Sequence, residues 1–414
     1  MKKATPLNLI GVNAYWMGLS FMWNSLHVIM LPAIMLNFVA DQQKNTALGL
    51  MSFLGLLLAM VVQPLSGAIS DRWVSRFGRR RPLILIGTAF DLLFLGIMTM
   101  AGGVPALALG YFGLQLASNI AHGPAQGLMH DLIPSESMGL ASGIKNFFDM
   151  GGLVISSLWV ARILDPQNPL TAYAAVAALL VAGALVTLIF SREQSSLEMS
   201  KPVSFRTQLR EILRIDFRGH RDYGRLIAVR LLFLTGIYGV QSFAQYFIKD
   251  TLQTDDAVKL TGDLMAIIVL SLIAFSLVAG YLCDRFGRKP MHVIAAILAA
   301  LGSLLMTTAH SAGAVLGFGS LIGAGIGIFL SANWALANDL APLSEAGKFL
   351  GLTNLATAGA GALSRLNGPM LDLVNNAWPG RYLGYSVLFV TTAVLALASL
   401  ILLRRVPDPT RKQA

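Results

Sequence analysis

SDRWVSRFGRRRP at residues 70–82 and CDRFGRKP at residues 283–290 say nearly the same thing in the two halves of the chain, each after a long apolar run. An Asp followed at once by Arg, then an aromatic, a Gly and a basic cluster, reads as a tight charged turn between two membrane helices. A second pair of blocks repeats independently. DLIPSESMGLASGIKN (131–146) and DLAPLSEAGKFLGLTN (339–354) place Asp, Leu, Pro, Gly, Gly and Asn in register. Two matched blocks per half mean an internal duplication.

Composition sets the medium. Hydrophobic residues make up 55% of the 414 residues and charged residues 13%, about half the roughly 25% charged fraction of soluble domains. A bilayer-spanning helix needs about 20 mostly apolar residues, so the chain has room for twelve. The reading is an all-α membrane protein of twelve transmembrane helices in two pseudo-symmetric six-helix bundles. Expected spans are 8–37, 45–70, 82–102, 105–130, 139–163, 169–191, 226–249, 262–283, 290–309, 313–338, 347–372 and 382–403. Domains follow as 1–191, a cytoplasmic linker at 192–225, and 226–414. Within the linker, SFRTQLREILRI (204–215) has the spacing of an amphipathic helix on the inner leaflet. The first apolar stretch continues past Pro32 without a small-residue cleavage site, so an anchored helix is expected and not a removed signal peptide. Most of the 31 Lys and Arg residues fall at the termini, in the two turns and in the linker. This bias predicts a multi-pass protein of the cytoplasmic (inner) membrane with both termini cytoplasmic. The formal net charge of +10 then reflects topology and anionic lipid, not nucleic-acid binding. The lone Cys283 excludes an internal disulfide and offers no metal cluster.

The turns carry a candidate cytoplasmic gate. Asp71, Arg72, Arg76, Gly78, Arg79 and Arg80 form one turn; Asp284, Arg285, Gly287 and Arg288 form the other. Asp131 and Asp339, at the inner ends of helices 4 and 10, are the expected acceptors for Arg76, Arg79, Arg80, Arg285 and Arg288. Such bonds hold an inner side closed and break when it opens. The alternative is that the arginines only orient the helices.

Polar residues inside apolar spans mark a candidate substrate site. On helix 4, Gln115, Asn119, His122 and Gln126 recur at i, i+4, i+7 and i+11, one face that should avoid lipid. Helix 1 adds Trp23, Asn24 and His27; the second half offers Tyr238, Gln241, Gln245, Asn333 and Trp334. Amides and imidazoles supply directional donors and acceptors without net charge, as hydroxyl-rich ligands require. Hydrogen bonding between helices is the competing use. Three ionisable residues at bilayer depth are candidate coupling groups: Asp149, about 15 Å into its helix, Lys145 one turn before it, and Asp91 on helix 3. The Lys145–Asp149 spacing also allows a self-neutralising pair.

Beyond these readings, the sequence resembles the major facilitator superfamily, and its N-terminal half resembles the sucrose transporter branch, related to the glycoside-pentoside-hexuronide cation symporters. GLSFMW (18–23) with Pro32, VQPLSGAISDRWVSRFGRRRPLILIG (62–87), ASNIAHGPAQGLMHDL (117–132) and NFF (146–148) carry the similarity. The resemblance implies a secondary transporter working by alternating access, without cofactor, as a monomer. Departures accompany it. Gln115 stands where plant sucrose transporters have an acid associated with sugar and proton, and Gln126 stands where they have an arginine. PSESMG (134–139) replaces an Arg-rich loop, and QSFAQYFIKD (241–250) replaces an acidic helix end.

Together these readings predict transport of a small polyhydroxylated solute, a sugar or glycoside, with a proton as the symported ion and Asp149 in place of the missing helix 4 acid. Export of drug-like or amphipathic compounds is the alternative within transport. A non-transporting membrane sensor is the alternative outside it. No G-x-x-x-x-G-K-[ST] loop occurs, which argues against ATP as the drive, and no nucleophile–base pair, metal cluster or acid pair points to an enzyme.

Overall fold

The computed structural model describes residues 5–191, 193–197, 220–342 and 345–408, and every regular element among them is helical. The first six helices are α1 (Pro6–Met35), α2 (Lys44–Ser70), α3 (Arg81–Thr99), α4 (Val104–Leu132), α5 (Met138–Ile163) and α6 (Leu170–Phe190). The second six are α7 (Arg221–Leu252), α8 (Ala257–Phe286), α9 (Arg288–Met306), α10 (Ala312–Leu340), α11 and α12 (Leu383–Leu403). α11 runs as Ala346–Arg365 and resumes as Asn367–Ala377. Residues 221–225 of the expected linker are the first turn of α7; the expected amphipathic helix at 204–215 lies outside the described residues.

Ten of these helices are long and apolar enough to cross a membrane, which makes the chain a multi-pass membrane protein. The two that fall short are α5 and α11, the fifth of each set of six. α5 holds Lys145, Asp149 and Arg162, and α11 holds Lys348 and Arg365. Polar groups in matching helices lower hydropathy where a helix has an interior use for them.

Local chemistry sets the helix ends and breaks. Thr5 caps α1, its hydroxyl accepting the Asn8 N–H at 3.2 Å, and Pro6 fills the first turn, where no N–H is needed. Before Pro32, which has no N–H to give, α1 widens into a π turn over Ser25–Met30. In α11 the break at Leu366 precedes Gly368-Pro369, where Pro again removes a helical bond.

The chain divides into two compact units, Met1–Val39 with Leu54–Leu213, and Ala40–Phe53 with Arg214–Ala414. Within the first unit, α3 packs on α4, α1 on α5 and α6, and α3 on α6. Within the second, α9 packs on α10, α7 on α11 and α12, and α9 on α12. The same pairings recur six helices later, which is the duplication in three dimensions.

Small residues permit the closest crossings. Along α10, Gly319, Gly323 and Gly327 face α8, and a Cβ on them would run into Leu264, the Ile268 carbonyl and the Leu272 carbonyl. One turn of the same helix turns Gly325 toward α9, where a Cβ would lie 2.9 Å from the Ala295 carbonyl. Spacing of small residues every four positions lets backbones touch where no hydrophobic drive separates protein from lipid. Gly323→Ala is expected to lower the thermal midpoint of the purified protein through about 1–3 kcal/mol of overpacking. Gly317→Ala, whose added carbon meets nothing within 4 Å, should leave it unchanged or raise it slightly.

Candidate functional site

The first charged turn is an ion cluster closed by α4. Arg79 holds Asp131 with two nitrogens, Nη2 at 2.6 Å and Nε at 3.1 Å. Arg80 reaches Asp131 with Nε at 2.9 Å, Asp71 with Nη2 at 2.6 Å and the Ser70 hydroxyl with Nη1 at 3.1 Å. Gly127 leaves room for it, since a Cβ there would lie 2.6 Å from Arg80 Cζ. Beneath the arginines, the Glu193 carboxylate accepts the backbone N–H groups of Arg79, Arg80 and Arg81 at 2.9–3.3 Å, capping the start of α3. Burial pushes the Glu193 carboxyl up in pKa, and the three N–H donors pull against that. Gly78, at φ +93°, both adopts a left-handed backbone and lets Glu193 come close.

The second turn repeats the plan with fewer bonds. Gly287 has φ +92°. Arg288 lies 3.2 Å from both Asp339 and Asp284, and Asp408, past the end of α12, accepts the Lys289 N–H at 3.2 Å as Glu193 does in the first unit. Two arginines do not fit the expectation. Arg76 and Arg285 lie over the rings of Phe77 (4.8 Å) and Phe286 (5.4 Å), and among the described residues neither pairs with an acid. Both side chains are exposed. Arg72 donates to the Ala68 carbonyl at 3.0 Å.

The polar face of α4 splits into an enclosed end and an open end. Gln115 and Asn119 are buried; Gln115 donates to the Tyr111 hydroxyl at 2.9 Å, and Asn119 donates to the Gln115 carbonyl at 2.8 Å. His27, on the π turn, reaches the same hydroxyl at 2.9 Å and stacks on Trp23 at 5.0 Å. Asn24 is spent on packing, donating to Ser156 at 2.7 Å and Ser157 at 2.9 Å of α5. At the open end, Gln126 is exposed and lies 3.4 Å from His122. His122 meets Trp16 edge-on at 5.0 Å; the Lys145 ammonium sits 3.9 Å from the centroid of the same indole.

Lys145 in turn pairs with Asp149 at 2.7 Å, and the other Asp149 oxygen accepts the Ser20 hydroxyl at 2.8 Å. The structure thus gathers Trp16, Ser20, His122, Lys145 and Asp149 from α1, α4 and α5. Asp91 stands apart on α3. It is fully buried, and neither carboxyl oxygen has a hydrogen-bond partner among the described residues.

In the second unit, Asn333 is joined to residues that the sequence reading did not single out. Its Oδ1 accepts from Arg230 Nη1 at 2.7 Å, and its amide faces His292 Nε2 at 3.4 Å. Trp334 lies beside Arg230, 5.8 Å from the guanidinium carbon. Gln245 is enclosed, with neither amide atom bonded to a described residue, Gln241 is half-buried, and Tyr238 lies within electrostatic reach of Arg230 and Arg365.

A further buried network surrounds the start of α2, at the end away from the turns. Lys44, only 2% exposed, pairs with Asp250 at 2.6 Å and Asp41 at 3.0 Å, and Tyr385 donates to Asp250 at 2.6 Å. Asp372 of α11 accepts the N–H groups of Asn45 (3.3 Å) and Thr46 (2.6 Å), capping α2.

This arrangement can be set beside known proteins. The Major Facilitator Superfamily model matches residues 7–364 and 226–414. The chain belongs to the Major Facilitator Superfamily. It is 26% identical over 284 residues to the uncharacterized symporter YnaJ of Bacillus subtilis (strain 168), covering 63% of this chain and 58% of that protein. It is 30% identical over 119 residues to the sucrose transport protein SUC4 of Arabidopsis thaliana, 24% of this chain and 23% of that one. The chain therefore spans less than two thirds of the length of these relatives. The crystal structure of the nucleoside transporter NupG superposes with a TM-score of 0.76 at 15% identity, covering 97% of this chain and 100% of that one. All three are named as transporters or symporters, and this family member groups with them and not with enzymes.

Substitutions in both networks test them. Glu193→Ala removes a carboxylate that serves three N–H donors, each such bond being worth about 1.5–3 kcal/mol, so trypsin should cut the arginine turn at least about tenfold faster in native protein. Breaking the buried pair singly, by Lys44→Met or Asp250→Asn, should cost about 3–5 kcal/mol, and the double substitution should recover part of that in thermal unfolding.

Proposed function

We propose that this Major Facilitator Superfamily member moves a small polyhydroxylated solute, of the sugar or glycoside class, across the membrane by proton symport. The observation that carries this reading is Asp149, held between Lys145 at 2.7 Å and Ser20 at 2.8 Å. A proton arriving on that carboxylate cancels the charge that holds Lys145, and it changes the acceptor seen by the Ser20 hydroxyl. The protonation state is thereby written into the α1–α5 contact. Lys145, once released, still faces the Trp16 ring, next to His122 on the polar face of α4. An acid, its counter-charge and an uncharged hydrogen-bonding face then share one region of the first unit, as coupled movement of a proton and a neutral polar solute requires. A symporter and a sucrose transport protein among the relatives support the reading. The ion clusters at Asp131 and Asp339 supply bonds that break and reform during alternating access.

In proteoliposomes loaded with a pH-sensitive dye, addition of a transported sugar should acidify the lumen as protons enter with it. Asp149→Asn should reduce that proton entry at least about tenfold while exchange of labelled for unlabelled sugar continues. Proton entry at the wild-type rate in Asp149→Asn, with its loss in Asp91→Asn, would transfer the role to Asp91 and end the assignment made here.

A further inference from the structure

Two rungs join α1 to α5. Trp16 and Ser20 are four residues apart on α1, and Lys145 and Asp149 four apart on α5, so each pair shares a face and is separated by about 6 Å along its helix. One rung is the Ser20 hydroxyl donating to Asp149 at 2.8 Å. The other is the Lys145 ammonium, 3.9 Å from the centroid of the Trp16 ring and therefore over its face. The Lys145–Asp149 pair at 2.7 Å closes the ladder along α5. The ammonium thus has two partners, one charged and one neutral.

Trp16 is 4% exposed, and its Nε1–H has no acceptor among the described residues. A buried indole ordinarily finds one, so the unmatched N–H is a cost that contacts of the ring have to offset. Of the aromatic side chains, tryptophan attracts a cation to its face most strongly. That attraction is opposed while Asp149 is ionised, because the carboxylate beside the ammonium brings negative charge toward a ring face that is itself negative. It grows once the carboxyl is neutral. With no second partner, an ammonium deprived of its carboxylate at bilayer depth would be stranded. The other titratable group at this indole is His122 of α4, edge-on at 5.0 Å. α6, also packed on α1, carries no charged residue, and its Tyr173 lies in the first turn. On α1 itself the Tyr15 phenol accepts the Thr88 hydroxyl at 3.1 Å.

We propose that Trp16 is the alternative partner of Lys145: when a proton neutralises Asp149, the indole face holds the ammonium in place and makes the protonated state accessible. Lys145 keeps its own protons throughout. Trp16 is then a positioning residue that acts on the coupling acid through the lysine. This deepens, and rests on, the reading of Asp149 as the acid that takes up the transported proton.

The test is a thermal-unfolding cycle on the purified full-length protein at one pH, with Asp149→Asn standing for the neutral acid. Trp16→Leu should lower the midpoint at least about twofold more in the Asp149→Asn background than in the wild type. Lys145→Met in all four proteins should abolish that difference, and Trp16→Phe, which keeps a ring face without the N–H, should recover part of it. Equal losses in the two backgrounds, or a difference that survives Lys145→Met, would overturn the inference. Where the leucine variant does not fold, the same protein carrying 5-fluorotryptophan serves. Its Trp16 fluorine resonance, identified by its absence in Trp16→Phe, should move on acidification in the wild type and stay fixed in Asp149→Asn. A shift that persists in Asp149→Asn and disappears in His122→Gln would assign the response to the imidazole and end the proposal, as would a resonance that does not move at all. Neither measurement uses cargo or a proton gradient, so the role of Trp16 and the symport reading can fail separately.

Discussion

A charge enclosed among membrane helices must meet either an opposite charge or a set of directed hydrogen bonds, and that constraint organises this chain. Asp131 draws Arg79 and Arg80 against α4; Asp250 draws Lys44 against α7; Asp149 draws Lys145 along α5. The first two of these join segments that apolar packing alone would leave free to slide, because lipid tails compete with side chains for apolar contact on equal terms. Glycine ladders bring the backbones together, and ion pairs fix which backbones those are.

The duplication shows which parts of the plan are fixed and which vary. Both units keep a left-handed glycine, an arginine beyond it, an aspartate at the end of the fourth helix and an acid past the sixth that caps the third. The first unit ties its aspartate to two arginines at 2.6–2.9 Å, whereas the second holds one at 3.2 Å. Arg80 has become Lys289 in the second copy, and with it the second arm of the clamp is lost. Two ion clusters of unequal strength occupy the two copies of the turn.

What was legible in the sequence was what chain neighbours determine. The charged turns could be read because Gly78 and Gly287 need a backbone that few residues adopt, and because Asp131 and Asp339 sit in repeated blocks. Lys145 and Asp149 could be paired from their spacing. Glu193 and Asp408 could not, since each is one acid just past a helix end and its purpose appears only when another helix start lies over it. Lys44 carries no local mark of its role: its partner is 206 residues away in sequence, and no local pattern announces burial at that range. Arg76 and Arg285 share the composition of their paired neighbours but lack an acid within reach, which only the fold reveals.

Arg230 belongs to a different category, because the signal was present. An arginine in an apolar run, with Leu226, Ile227, Phe233 and Leu234 at the helical neighbour positions, has no local acid to silence it. Counting Lys and Arg for topology passes over such a residue, since topology concerns the ends of helices and not their middles. Hydropathy alone likewise undervalues α5 and α11, whose charges lower their apparent fitness as spans. In a membrane protein the helices and residues that fit the hydrocarbon least are those for which some other contact offsets the misfit. For Lys145 and Asp149 that contact is internal and complete. For Arg230 the protein supplies two neutral acceptors, Thr357 and Asn333, and no carboxylate among the described residues.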